Sequence, residues 1–301
     1  MKNFIVLFFK GIGMGAANVI PGVSGGTIAF ITGIFEKLIN SIKSLDLKAI
    51  KLLFTGKFRD LAAHINLGFL IAVFLGIGVS ILSLARLLDY LFLYYPVFVW
   101  AYFFGLILAS VYFVGKTIQK WNIPVIVTFI AGTTIAVLIS LLTPATENNA
   151  YWYLFICGIV AVCSMILPGL SGSFVLLLMG NYKLVMIDAV NDLNLKILIP
   201  VVIGAGVGLI GFSHFLSWIL RKFRNETISV LTGFILGSLL TLWPWKTEIT
   251  ETFGEKTKVT GYNWNLPESF NADVLIAIAL IAAGIISIWI LEKFAETKKQ
   301  N

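Results

Sequence analysis

Apolar residues run along this chain in stretches of roughly 20, long enough to cross the hydrocarbon core of a bilayer, with short polar segments between them. The pattern predicts membrane spans at about 64–93, 97–115, 123–142, 198–220, 228–243 and 272–292, the first long enough to bend or break. Two further apolar regions are interrupted: 4–20 and 27–42 flank one glycine-rich break, and 151–167 and 173–190 flank another. No room is left for a separate soluble domain. The apolar run Phe4–Phe9 leads into Lys10 and glycines without a small-residue cleavage site, so it reads as retained structure and not as a signal peptide.

The two breaks are versions of each other. One reads Asn18-Val19-Ile20-Pro21-Gly22-Val23-Ser24-Gly25-Gly26-Thr27 and ends at Gly33; the other reads Met165-Ile166-Leu167-Pro168-Gly169-Leu170-Ser171-Gly172-Ser173-Phe174 and ends at Gly180. Proline removes a backbone donor and glycine opens conformations closed to other residues, so each region should fold as a broken hairpin. The hairpin is either re-entrant or a tight pair of crossings. Interrupted apolar segments at matching places in two halves point to a transporter's binding site.

The repetition extends further. Gly76-Ile77-Gly78-Val79 matches Gly204-Ala205-Gly206-Val207, and Gly105 to Ser110 matches Gly233 to Ser238, both at an offset of 128, whereas the breaks are offset by 147. The difference is about the length of a basic segment at 43–61, which reads as an insertion in the first half. There Leu47, Ile50, Leu53 and Phe54 have helical spacing between Asp46, a candidate N-cap, and Gly56, predicting a short amphipathic helix on the membrane surface.

One returning hairpin plus three spans gives each half an odd number of crossings, so the halves are inverted relative to each other. Charge supports this topology. With a cytoplasmic N-terminus, fourteen Lys and Arg fall in inside loops and four (Lys196, Lys246, Lys256, Lys258) in outside loops, as the positive-inside rule requires. The fold class is an all-α polytopic membrane protein of two inverted repeats, 1–147 and 148–301, forming one transmembrane domain with both termini cytoplasmic. The longest polar stretch, Lys246–Asp273, falls outside and reads as a short hairpin or cap.

Composition agrees: 58% of the 301 residues are hydrophobic and 12% charged, with a mean hydropathy of +0.94. The net charge of +7 sits in loops and does not imply nucleic acid. Cys157 and Cys163 share one apolar run and read as small buried hydrophobes. There is no His-Glu-x-x-His, no phosphate-binding glycine loop ending in Lys-Ser or Lys-Thr, and no carboxylate cluster within a span, so neither a metal site nor an ATP-driven pump is indicated.

If the second limb of each hairpin is a helix starting near Ser24 or Ser171, its first turn offers unpaired N–H groups at a positive dipole end, suited to an anion. Ser24, Gly25, Gly26 and Thr27 on one tip, and Ser171, Gly172 and Ser173 on the other, are the candidate ligands, with Pro21, Gly22, Pro168 and Gly169 as candidate hinges. Small residues at such places also serve simply to pack helices. Arg86 within a span is costly to bury and either binds an anionic headgroup or pairs with Asp89 near the span's outer end. His214 is its repeat counterpart. Lys10 and Asn18 are auxiliary candidates. Glu36 is either a proton carrier or the partner of Lys37 or loop cations. No catalytic residue, cofactor or metal ligand is assigned.

The run from Gly13-Met14-Gly15 through Pro21-Gly22-Val23-Ser24-Gly25-Gly26-Thr27 to Gly33-Ile34-Phe35-Glu36-Lys37-Leu38 closely resembles the bacterial polyprenyl-phosphate transporter family (PopT), long catalogued as a domain of unknown function. The resemblance covers essentially the whole chain; the second motif is looser, with Ser173 for Gly26 and Phe174 for Thr27. It implies a polyprenyl-phosphate lipid as partner, undecaprenyl phosphate, returned across the bacterial inner membrane for cell-wall synthesis. An anion channel or small-anion transporter also suits such helix starts. A third reading, a lipid-diphosphate phosphatase, rests on the Pro-Gly-x-Ser motif of the undecaprenyl-diphosphate phosphatases. There the Ser is followed by Arg-Ser and assisted by two glutamates; here Gly25-Gly26 follows Ser24 and no Glu-x-x-x-Glu lies in a span.

Overall fold

A computed structural model describes residues 2–19, 25–142, 145–189, 192–253, 256–267 and 269–297. It is helical apart from one β-hairpin. The helices are α1 (Lys2–Val19), α2 (Gly25–Ile31), α3 (Phe35–Lys43), α4 (Leu47–Phe54), α5 (Phe58–His64), α6 (Leu67–Tyr94), α7 (Pro96–Gly115), α8 (Ile123–Leu141), α9 (Tyr151–Ile166), α10 (Gly172–Leu178), a π-helical turn at Leu184–Asp188, α11 (Leu195–Lys222), α12 (Arg224–Ser238), a 3₁₀ turn at Leu239–Leu242, and α13 (Ala272–Thr297). Five of the described segments are long and apolar enough to span a bilayer: Pro96–Gly115, Ile123–Leu141, Leu195–Lys222, Arg224–Leu242 and Ala272–Ile290. The pair Phe58–His64 and Leu67–Ser80, bent by 68° at the break between them, would make a sixth only if the two were counted as one span. The bend falls at Asn66, whose φ of 52° is a conformation asparagine tolerates better than most residues. The chain is a multi-pass membrane protein.

The chain forms two compact units, one of Met1–Ala85 with Ala145–Arg224 and one of Arg86–Pro144 with Asn225–Asn301. Each therefore draws on both halves of the sequence. In the first unit α1 packs on α6 and α9 on α11 through glycines that bring backbones together. A Cβ at Gly11 or Gly76 would collide with the carbonyl oxygens of Val73 and Phe8, and one at Gly158 or Gly204 with those of Val201 and Phe155. These contacts are related by the same offsets of 147 and 128 that relate the sequences. In the second unit Gly105 of α7 meets Ile281 of α13, while Gly233 of α12 meets Phe129 of α8. Spans that correspond in sequence, α7 and α12, thus each pack on the last span of the opposite half. Small residues at helix crossings allow the van der Waals packing that holds helices together in lipid.

The expectation of one continuous limb after each break is corrected. The limbs at 27–42 and 173–190 both stop after one short helix, at Gly33 (φ 70°) and Gly180 (φ 74°). Both glycines end their helix with the same bonds: Gly33 N–H to Phe30 O and Ile34 N–H to Ala29 O in one half, Gly180 N–H to Leu177 O and Asn181 N–H to Leu176 O in the other. This is the left-handed C-terminal cap that glycine supplies. At 1.5 Å per residue α2 and α10 each reach only about 10 Å, too short to cross a bilayer alone.

The basic insertion forms two short helices. Asp46 N-caps α4, accepting from Ala49 N–H at 2.9 Å, and its Oδ1 lies 3.1 Å from His64 Nε2 of α5, so one carboxylate joins both helices. The longest polar stretch is an antiparallel hairpin, β1 (Lys246–Phe253) and β2 (Lys256–Trp264), with a bulge at Ile249/Thr250. Its base is pinned by Trp264 Nε1–H to Leu240 O and Trp243 Nε1–H to Asn265 O, both 2.8 Å. The Lys246 ammonium lies 3.5 Å from the Trp100 ring centroid and 4.3 Å from that of Tyr262, and donates to Thr241 O.

Two outcomes follow from the packing and the cap. Gly204→Ala places a methyl against Phe155 O and should lower the melting temperature of the detergent-purified protein, costing about 1–3 kcal/mol; Gly206→Ala, two residues on, meets nothing within 4 Å and should leave it unchanged or raise it. The Asp46 carboxyl is held below its ordinary value of 3.8, first by the Ala49 N–H and then by the His64 side chain. A carboxyl depressed in the folded state stabilises at pH above that ordinary value and loses its effect as pH falls through the folded value. Hydrogen exchange of the first turn of α4, corrected for intrinsic rate, should thus be steady at pH 5 and above and accelerate below 3.8; in Asp46→Ala it should already be fast at neutral pH.

Candidate functional site

The second break has a defined geometry. The helix α9 ends at Ile166, and Pro168-Gly169 then forms a tight turn with Gly169 at φ 86°, closed by Leu170 N–H to Leu167 O at 3.5 Å. Proline before a positive-φ glycine is the signature of a type II turn, and a side chain at 169 would strain it. The chain then enters α10, in which Val175 N–H to Ser171 O, 3.0 Å, is the first helical bond. Among the described residues nothing accepts from the N–H groups of Gly172, Ser173 or Phe174. Ser171 does not cap its own helix; its Oγ lies 3.0 Å from Ser173 Oγ, leaving both half-buried hydroxyls beside the open helix start.

The first motif meets this turn. Gly25 and Gly26 begin α2 and are buried, as is Thr27, only 1% exposed. Thr27 Oγ1 accepts a hydrogen bond from Gly169 N–H at 2.9 Å. Two residues 142 apart in sequence, one from each motif, are therefore joined by the backbone donor that the turn itself exposes. The helix starts at Gly25 and Gly172 agree with the sequence expectation. Pro21, Gly22 and Ser24 lie outside the described residues, as do the side chains of Asn18 on α1 and Arg86 on α6. Arg86 opens the second compact unit.

Other candidates lie away from the two tips. Lys10 Nζ donates to Thr32 O at 2.5 Å, so it caps the carbonyl end of α2, opposite the end that meets Gly169. His214 Nδ1 lies 2.9 Å from Ile210 O on its own helix. Glu36 Oε1 lies 2.6 Å from Arg224 Nη1, the loop cation that partners it, and the Lys37 ammonium stands 4.9 Å over the Phe69 ring. Ser217 Oγ–H to Asn40 Oδ1, 2.9 Å, is a further tie between α3 and α11. Cys157 is buried, Cys163 is half-buried, and both are free thiols. Among the described residues no three His, Cys, Asp or Glu are placed to hold a metal ion.

Two polar residues escaped the sequence reading. Asn181 is fully buried; its side-chain oxygen accepts from Asn148 N–H at 2.9 Å and its amide donates to Asn148 O at 2.7 Å, fastening the end of the second hairpin. An asparagine directly after the motif-ending Gly180 was the available signal. Ser80 on α6 is fully buried against Gly15 of α1, its hydroxyl without a partner among the described residues. Nothing in the apolar run around it marks it out.

Residues 14–260 match the family model described as undecaprenyl phosphate translocase-like. A Vibrio cholerae protein named polyprenyl-phosphate transporter is 39% identical over 302 residues, covering 98% of each chain. A Staphylococcus aureus protein of the same name is 32% identical over 252 residues, covering 78% of this chain and 84% of the relative. No solved structure matches. Identity along nearly the whole length, with both Pro-Gly motifs inside the matched residues, means that this chain belongs to the undecaprenyl phosphate translocase-like family of membrane transporters.

Proposed function

We propose that this protein moves a polyprenyl phosphate, undecaprenyl phosphate in the bacterial inner membrane, between leaflets, and that the headgroup is held where the two motif tips meet. The observation that carries the reading is the Thr27–Gly169 hydrogen bond beside the open start of α10. A phosphate oxygen is a strong acceptor. The unpartnered N–H groups of Gly172, Ser173 and Phe174 and the hydroxyls of Ser171 and Ser173 are donors of the kind it needs, and charge-assisted bonds exceed neutral ones in strength. Gly25, Gly26 and Thr27 are the first motif's share of the site; Ser24 and Arg86 are candidate ligands from the sequence alone. The prenyl tail needs no polar partner and stays in lipid.

In this reading the halves are inverted repeats, with cytoplasmic termini and re-entrant hairpins, and rocking at Pro21-Gly22 and Pro168-Gly169 exposes the headgroup site to each leaflet in turn. Glu36, the candidate proton carrier, has Arg224 as its ion-pair partner. Transport is favoured over hydrolysis. The nearest polar partner of Ser171 Oγ is another hydroxyl and not a base, and no arginine follows either motif serine to stabilise a transition-state charge.

Reconstituted in vesicles, the wild-type chain should move a fluorescent polyprenyl phosphate between leaflets, and Ser24→Leu with Ser171→Leu should slow it by about tenfold or more, the loss of one or two charge-assisted bonds. Unchanged movement in that folded double variant contradicts the site. Uptake of bare anions without any prenyl lipid would favour a channel, and phosphate release from the lipid diphosphate would favour a phosphatase. Thr27→Val keeps the shape but strands the half-buried Gly169 N–H. It should cost about 1–3 kcal/mol in thermal stability and weaken lipid binding, and Thr27→Ser should restore both.

A further inference from the structure

We infer that the helix pair α4–α5 is a docking surface for an anionic lipid leaflet, independent of the cargo carried. Ala49 faces the protein and is buried, whereas Leu47 and Phe54 are each 84% exposed and Ile50, Leu53 and Phe58 are exposed with them. At 100° per residue the four apolar residues of α4 share an arc of about 120°, and Lys51 and Lys48 follow along its edge. A helix turning large apolar side chains outward with cations beside them lies in a membrane interface, apolar arc toward the acyl chains and cations at the headgroups. The apolar arc alone would fit any apolar partner; the charges choose among them. Lys48, Lys51, Lys57 and Arg59 are all exposed, and none has a carboxylate within salt-bridge distance among the described residues. Four uncompensated cations around an apolar face complement a surface of phosphatidylglycerol or similar acidic lipid.

The surface is also built to hold its shape. Asp46 caps α4 and bonds His64 at the end of α5, and Gly56 (φ 70°) makes the turn between them, so the two helices are tied at their outer ends. The segment has no counterpart in the second half, where the offset between halves shortens by its length. The docking surface thus belongs to the first half of the sequence alone and faces a single leaflet.

Hydrogen exchange of residues 47–64 in the full chain, measured in nanodiscs, tests this. Exchange should slow by about threefold or more in discs holding about 30% phosphatidylglycerol relative to phosphatidylcholine alone, and the protection should fall in about 0.5 M salt. The variant Lys48→Gln, Lys51→Gln, Lys57→Gln, Arg59→Gln should lose the difference while the span peptides exchange as in wild type. Equal exchange of the wild-type segment in both lipids overturns the inference, as does salt-insensitive protection or protection retained in the quadruple variant. Protection in phosphatidylcholine that grows with the number of chains per disc would assign the face to a second copy of the chain.

Discussion

A backbone N–H that leaves its helix needs a new partner within the protein wherever water does not reach it, at a cost of several kcal/mol if none is found. The Pro168-Gly169 turn creates that problem on purpose. Its Gly169 N–H is answered by Thr27 Oγ1, from the equivalent break in the other half of the chain. The two breaks are therefore not independent interruptions: one completes the hydrogen bonding of the other. Further along, Gly172, Ser173 and Phe174 present donors with no acceptor among the described residues, which is tolerable only where water or an anionic ligand reaches them.

Around this junction the glycines have two different tasks. Gly33 and Gly180 stop short helices and keep α2 and α10 to seven residues each. Gly76, Gly158 and Gly204 instead remove a side chain where carbonyls of the neighbouring helix arrive, fastening the long helices that frame the tips. The short helices are thus held by long ones that pack closely. Lys10 closes the carbonyl end of α2 within the first half, and the ties Glu36–Arg224 and Asn40–Ser217 add polar links between segments from the two halves.

Much of this was legible in the sequence because it depends on local chemistry. The helix starts at Gly25 and Gly172, the cap at Asp46, the spans α7, α8 and α11, and the β-hairpin all follow from apolar length, proline, glycine and capping residues. The stop at Gly33 was hidden because the run 27–42 stays apolar through it, and a positive φ is a property of the fold and not of composition. The Thr27–Gly169 bond was hidden for a different reason: it joins residues from opposite halves, and only folding brings them together. Gly76 and Gly78 look interchangeable in sequence. One meets Phe8 and the other open space.

The central claim is that a lipid phosphate sits at the joined tips. A polyprenyl phosphate carrying a photoreactive group next to its phosphate, activated in vesicles and mapped by mass spectrometry, tests it most directly. Adducts should fall in both tip segments, around 24–27 and 171–174, and be displaced by unlabelled polyprenyl phosphate but not by the uncharged prenol. Adducts confined to one tip, or to helices away from both, would contradict it.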